Sequence, residues 1–285
     1  MPDISKVSGV AADSVGKIDG VSKASIGKLN ELSFASTASI VTTNLALHLD
    51  AGDSSSYSGS GSTWFDLTSN NIDFSLINSP TYSSSDGGGS FQFDGVDDEI
   101  SSTYSASSPI LFSASDLDTN GATFQLWAKN VSNNAIQFNT NSATSNHYFG
   151  IEVIPTHNTS KGGGKMVAHI FEGTANNSPA SRRTAETSFG VHNANVWYLF
   201  TWTFGSNESS DIEFALNASS VARAGTSGTG DNNSPQYSSS RKPAMGRVRG
   251  VARQGHVSQV LVYNRVLSSS EIAQNFNATK ARYGY

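Results

Sequence analysis

There is no cysteine anywhere in the 285 residues. That removes thiol nucleophiles, zinc–thiolate sites and disulfide staples together. Such a chain keeps the same covalent structure in a reducing cytoplasm and outside a cell. Charge is scarce too: 14% of residues are charged, against roughly 25% in an ordinary soluble domain. The net charge of −5 lacks the basic footprint of a nucleic-acid binder. No run approaches the ~18 apolar residues that a membrane-spanning helix needs, so neither nucleic acid nor membrane insertion is expected. The opening MPDISKVSGVAADS (1–14) has no apolar core of a secretory signal, and export by that route is not expected. Ser, Thr, Asn and Gly supply the polarity instead, giving a surface of neutral hydroxyls and amides.

Catalytic signatures are missing as well. The histidines (48, 147, 157, 169, 192 and 256) contain no His-x-x-x-His pair, and no Gly-x-Ser-x-Gly elbow occurs. The Gly-rich SKGGGK at 160–165 lacks the Ser/Thr and the strand-to-helix setting of a phosphate loop. No constellation of an enzyme is assembled.

What the chain does have, at its start, is a repeat of eleven residues: ISKVSGV (4–10), VGKIDGV (15–21) and IGKLNEL (26–32). Ile4, Val15 and Ile26 correspond, as do Lys6, Lys17 and Lys28, then Val7, Ile18 and Leu29, then Val10, Val21 and Leu32. Fixed-period self-similarity marks a stacked or serially docking unit. Eleven is also the period of a right-handed coiled coil, but apolar residues at offsets 0, 3 and 6 spread around a helix. Gly9, Gly16, Gly20 and Gly27 would each cost about 1 kcal/mol inside one. Short extended pieces broken by turns at Ser8-Gly9, Asp19-Gly20 and Asn30-Glu31 fit better. Residues 1–34 are too few to bury a core, so they are expected to act as an assembly arm lying across neighbouring subunits, with 35–44 as linker.

From residue 45 onward the pattern is that of strands. LALHLD (45–50) alternates, placing Leu45, Leu47 and Leu49 on one face and Ala46, His48 and Asp50 on the other. FQFDG (91–95), TFQLWAK (123–129), VWYLFTWTF (196–204), DIEFALN (211–217) and VSQVLVY (257–263) follow, separated by clusters such as SSSDGGG. Many short strands without helical periodicity between them predict an all-β antiparallel sandwich. One helix is predicted near 269–281, where Ser268 and Glu271 form a capping box ahead of Ile272, Ala273 and Phe276.

Several residues are candidates for a site. Asp94, Asp97 and Asp98 bring carboxylates together in one short loop, the oxygen chemistry that calcium prefers; the structural alternative is a turn with Asp94 bonding backbone and Gly95 at positive φ. No cofactor is required by any other feature. Trp64 with Asp66 offers an aromatic face and an acceptor for a sugar, or else a buried structural turn. Asp211 and Glu213, two apart, would point the same way on a strand, as paired glycosidase carboxylates do, or form a solvated outer face. RKPAMGRVRGVAR (241–253) holds five basic residues and no acid; on a strand, Arg247, Arg249 and Arg253 would share one face and suit bidentate contacts to an anionic partner. Trp127, Trp197 and Trp202 sit inside strands and are expected to be core.

Taken in order, LALHLDAGDSSSYSGSGSTWFDL, FQFDGVDDEI, WAK at 127–129, NVWYLFTWTF at 195–204, DIEFALNAS at 211–219 and GHVSQVLVYNRVLSSSEI at 255–272 resemble the laminin-G-like, concanavalin-A-like jelly-roll domains common in bacteriophage virion proteins. The resemblance covers residues 44–285. It implies a jelly-roll at 45–285 closed by a C-terminal helix, displayed on a virion surface as a capsid decoration or fibre. It implies other virion proteins and further copies of the chain as partners, with host surface glycan as an alternative one. Relatives with similar loops sometimes carry calcium; the chain departs from them at Ser258-Gln259, where they often have an acidic pair.

Overall fold

The computed structural model describes residues 39–103, 119–131, 138–139, 150–171, 182–206, 208–227, 243–246 and 253–285, together with strand residues 6–7, 10–11, 17–18, 21–22, 28–29 and 32–33 near the start. Two compact units are present, Met1–Ser39 and Ile40–Tyr285.

In the first unit the three eleven-residue repeats form hairpins. Lys6–Val7 pairs antiparallel with Val10–Ala11, Lys17–Ile18 with Val21–Ser22, and Lys28–Leu29 with Leu32–Ser33. Each is a two-stranded sheet of its own. The described strands hold the second and third aliphatic positions of each repeat, while Ile4, Val15 and Ile26 lie outside the described residues.

The second unit is an all-β sandwich of two antiparallel sheets with one C-terminal α-helix, as the strand pattern implies. An eight-stranded sheet is centred on Ala122–Asn130, Trp197–Phe204 and Gln254–Tyr263, with Leu45–Asp50 paired to the last of these. A nine-stranded sheet runs from Arg223–Ser227 at one edge, through Gly163–Phe171 and Gly150–Asn158, to Thr63–Trp64 at the other. Alternation sorts the side chains. Phe124, Leu126, Phe200, Trp202, Val260 and Val262 face the interior, where they meet Trp64, Phe74, Ile100, Met166 and Ile170. SKGGGK is the tight connection between two neighbouring strands of this sheet, with Gly162 left-handed at φ 76°.

The opposite set of the eight-stranded sheet is also buried, because the C-terminal helix Ser269–Thr279 lies over it. Ser268 caps this helix: its Oγ accepts from Glu271 N at 3.3 Å, and Glu271 Oε2 accepts from Ser268 N at 2.9 Å. Ile272 packs with Val41, Leu261, Tyr263 and Leu267, while Phe276 joins Trp127, Trp197, Leu199 and Tyr283. The three strand tryptophans are thus core, but Trp127 and Trp197 belong to this outer layer. Asn275 is buried at its centre and fully satisfied. It donates to Gln125 Oε1 at 2.6 Å and Tyr263 OH at 2.9 Å, and accepts from Val41 N at 2.7 Å.

Two expectations need correction. Leu45 does not share a face with Leu47 and Leu49: the pairing shifts at Val262/Tyr263, so Leu47 opposes Val262 but Leu45 opposes Tyr263. This bulge at Ala46 flips the alternation and puts Leu45 in the outer layer. Of the linker expected at 35–44, residues 35–38 lie outside the described residues, and its later part is packed. Ile40 and Val41 pack in the outer layer, and Tyr263 OH donates to Val41 O at 2.9 Å.

Candidate functional site

The acidic loop joins Ser90–Asp94 to Glu99–Ser102 at one end of the sandwich. Gly95 turns it at φ 83°. Asp94 Oδ1 accepts from Val96 N at 2.8 Å and Asp97 N at 3.3 Å, and Asp98 Oδ2 accepts from Asp94 N at 2.9 Å. The backbone turn anticipated from sequence is therefore present. The same geometry brings carboxylate oxygens of Asp94, Asp97 and Asp98 within 4.8 Å of one another. The Val96 N–H, first among several backbone donors, holds the Asp94 carboxyl below its ordinary range. Burial, followed by the opposing Asp94 N–H and the charges of Asp94 and Asp97, pushes Asp98 up. The donor class fits a hard cation, and the loop's side chains supply three of the six to eight oxygens that calcium takes. Ser258 and Gln259, where an acidic pair was the alternative, do structural work instead: Ser258 Oγ donates to Gly89 O at 2.6 Å, and Gln259 Nε2 to Asp50 Oδ2 at 2.9 Å.

Trp64 and Asp66 do not form a surface site. Trp64 is 0% exposed and meets Phe91 edge-on at 4.9 Å, because the short strand Thr63–Trp64 pairs with Phe74–Ile77 and points the indole inward. Asp66 accepts from His48 N, Thr68 N and Ile72 N, each at 3.0 Å, and from Thr68 Oγ1 at 2.7 Å. Its carboxylate is used up holding a turn. The surface-binding expectation for this pair is corrected by burial.

The described parts of the basic stretch do not form one strand. Ala244–Gly246 lies within the nine-stranded sheet, with Ala244 and Met245 buried. Arg253, half-buried, leads into Gln254–Tyr263 of the other sheet. Arg247 and Arg249, and with them the expected shared stripe, lie outside the described residues.

Asp211 and Glu213 are not on one strand either. Asp211 ends the turn Ser209–Asp211, where its Oδ2 accepts from Ser206 Oγ at 2.6 Å. Glu213 projects from Ile212–Leu216 with Arg223 Nη1 3.9 Å away. Glu213 instead lines a groove of about 290 Å³ together with Thr201, Thr203, Ser220, Val266, Leu267, Ser269 and Ile272. The groove lies on the outer side of the eight-stranded sheet beside the start of the helix, and Asp211 is not part of its lining. Hydroxyls, one carboxylate and an apolar wall are what a small polar ligand with an apolar face would meet. Sequence reading missed it because its lining comes from four separated segments; the capped helix start was the one signal available.

The described histidines are spread out. His169 Nδ1 meets Thr184 Oγ1 at 2.8 Å, and His256 Nδ1 lies 3.0 Å from Asp86 Oδ2. His157 and His192 are buried with ring centroids 5.8 Å apart. Neither ring nitrogen of His192 finds a well-aligned partner. Burial brings its pKa down to about 4, and the backbone of Asn193, Lys165 and Thr156 only partly opposes this. His147 lies outside the described residues.

No family model matches the sequence, and no curated protein does. The fold has relatives among solved structures. The botulinum neurotoxin serotype D binding domain superimposes with a TM-score of 0.56 at 12% identity, over 85% of this chain and 52% of that one. The binding domain of botulinum neurotoxin DC in complex with rat synaptotagmin II gives 0.55 at 12% identity, over 84% and 52%. The same domain in complex with SialylT gives 0.54 at 10%, over 83% and 52%. The chain spans about half the length of these structures. At such identity the likeness establishes the shared β-sandwich fold and nothing of the chemistry.

Proposed function

We propose that the chain is a non-enzymatic display protein of a phage virion, anchored by its N-terminal repeats and presenting the sandwich on the particle surface as a capsid decoration or fibre. The observation that carries this reading is the two-part construction: one unit has three identically spaced hairpins, and the other is a sandwich with its own core. A repeated unit too small to bury a core suits a lattice of repeated docking sites. The low charge suits a surface that stays inert to most of its surroundings. The non-enzymatic reading is supported by the separation of Asp211 from the groove that Glu213 lines. Immunogold labelling with antibodies to the sandwich tests display: gold on the outside of intact particles is expected, and particles labelled only after disruption would contradict it.

A second reading, compatible with the first, is that the displayed sandwich binds host surface glycan. It is supported by the fold shared with binding domains, one solved with SialylT, and by the hydroxyl-lined groove at Glu213. The intact chain on a glycan array is the test. Hits that weaken in Glu213→Gln support the groove, and an array without hits from folded protein removes the reading.

A further inference from the structure

Each N-terminal hairpin is a ladder of two residue pairs, with Val7 opposite Val10, Ile18 opposite Val21 and Leu29 opposite Leu32. A lone two-stranded hairpin is at best marginally stable in water, and independent stability takes three or more strands or a covering element. Here the three ladders are separate sheets, and no cysteine is present to staple them. Yet Ile4 to Leu32 contains nine aliphatic residues at the repeat positions, a poor composition for a chain that stays in water. Something must cover them.

Whatever covers one hairpin must recur at the spacing of the next. A second copy of the same arm has that spacing by construction. The ladder positions are also equivalent from repeat to repeat: a lysine and an aliphatic residue in the first strand, an aliphatic residue and Ala or Ser in the second. Charge does not oppose association of like arms. Residues 1–34 carry Lys6, Lys17, Lys23 and Lys28 against Asp3, Asp13, Asp19 and Glu31, four of each sign, so copies meet without net repulsion. A strongly charged partner would find no net charge to select. We infer that the arm's partner is the arm of other copies of this chain: residues 4–33 associate hairpin against hairpin, in register at the eleven-residue period, and make the protein a homo-oligomer. This deepens the anchor reading, on which it rests for the arm's role in assembly.

The test is the mass of the full-length chain by light scattering after gel filtration. The wild type is expected at a discrete multiple of 30.0 kDa. The combined variant Val7→Asp, Ile18→Asp, Leu29→Asp, which puts a carboxylate into each ladder, is expected at 30.0 kDa with the sandwich unfolding at an unchanged temperature. The conservative set Val7→Ile, Ile18→Val, Leu29→Ile should remain an oligomer. A wild type that runs as a monomer up to near-millimolar concentration overturns the inference. So does an oligomer unmoved by the three aspartates, which would place the contact elsewhere. The two readings fail separately: a monomer that still enters particles leaves the anchor reading standing, while an oligomer that never enters them removes the anchor reading alone.

Discussion

Arg282 closes on Asp50 across almost the whole chain, its Nη1 2.8 Å from Oδ1 and 2.7 Å from Oδ2. Asp50 is 7% exposed and also accepts from Gln259 Nε2 and Gly52 N, both at 2.9 Å. Gly52 has to lack a side chain, since a Cβ would overlap the guanidinium and the carbonyl of Gly88. Next to this pair, Tyr283 stacks on Trp127 with ring centroids 3.8 Å apart. Together they hold the chain's last turn on the sheet.

Arg282→Ala should therefore cost about 2–3 kcal/mol, because it leaves a buried carboxylate without its cation. The pair is partly open to solvent on the arginine side, which keeps the figure at the lower end. In chemical denaturation, Asp50→Asn combined with Arg282→Ala should lose less than the sum of the single changes. Additive losses would show that the two groups do not act together.

Stability should fall on mild acidification because of His192. Its folded pKa of about 4 lies below the ordinary 6.5, so its contribution is intact above pH 6.5 and is lost as the pH falls toward 4. A fall from 6.5 to about 4 corresponds to roughly 3 kcal/mol at full effect. Thermal melts across that range should show the slope in the wild type and a shallower one in His192→Leu. Equal slopes would mean the ring is not held neutral by burial.

At the acidic loop the sign is the reverse. Asp98 is raised, so its contribution is present below the usual carboxylate pKa and is lost as the pH rises through the folded value. Asp98→Asn, which can still accept from Asp94 N, should therefore raise the melting temperature at pH 7 and leave it unchanged near pH 3. Calcium should stabilise the wild type and not the variant. A concentration ten times the dissociation constant gives about 1.4 kcal/mol, and extracellular modules bind at roughly 10⁻⁴–10⁻³ M. No shift at about 10 mM would exclude the loop as a calcium site.

Trp64→Ala should destabilise the sandwich by about 3–5 kcal/mol, as truncation of a buried aromatic does. A variant as stable as wild type, but altered in ligand binding, would contradict the buried placement.

Much of the fold was legible in local pattern. Alternation in 123–129 and 196–204 gave the central strands, and Ser268 with Glu271 marked the helix start, because a capping box and a two-residue period are signals within a few residues. What was not legible depended on distant partners or on a single-residue irregularity. Nothing local to Leu45 announces the bulge that turns it outward. Asp50 reads as a solvent-facing residue until Arg282 is known to cover it. Asp211 and Glu213 read as a same-face pair because the turn ending at Asp211 has no Pro or Gly to betray it. The groove at Glu213 exists only once the helix has docked beside Ile212–Leu216.

If the repeats anchor the chain to a particle, as proposed, removing them should abolish incorporation. The decisive measurement is quantitative mass spectrometry of gradient-purified virions assembled with either the full chain or a chain lacking residues 1–34, at matched expression. The full chain is expected in fixed stoichiometry with the particle proteins, and the shortened chain, still folded, only in the unassembled fraction. Equal incorporation of both would contradict it.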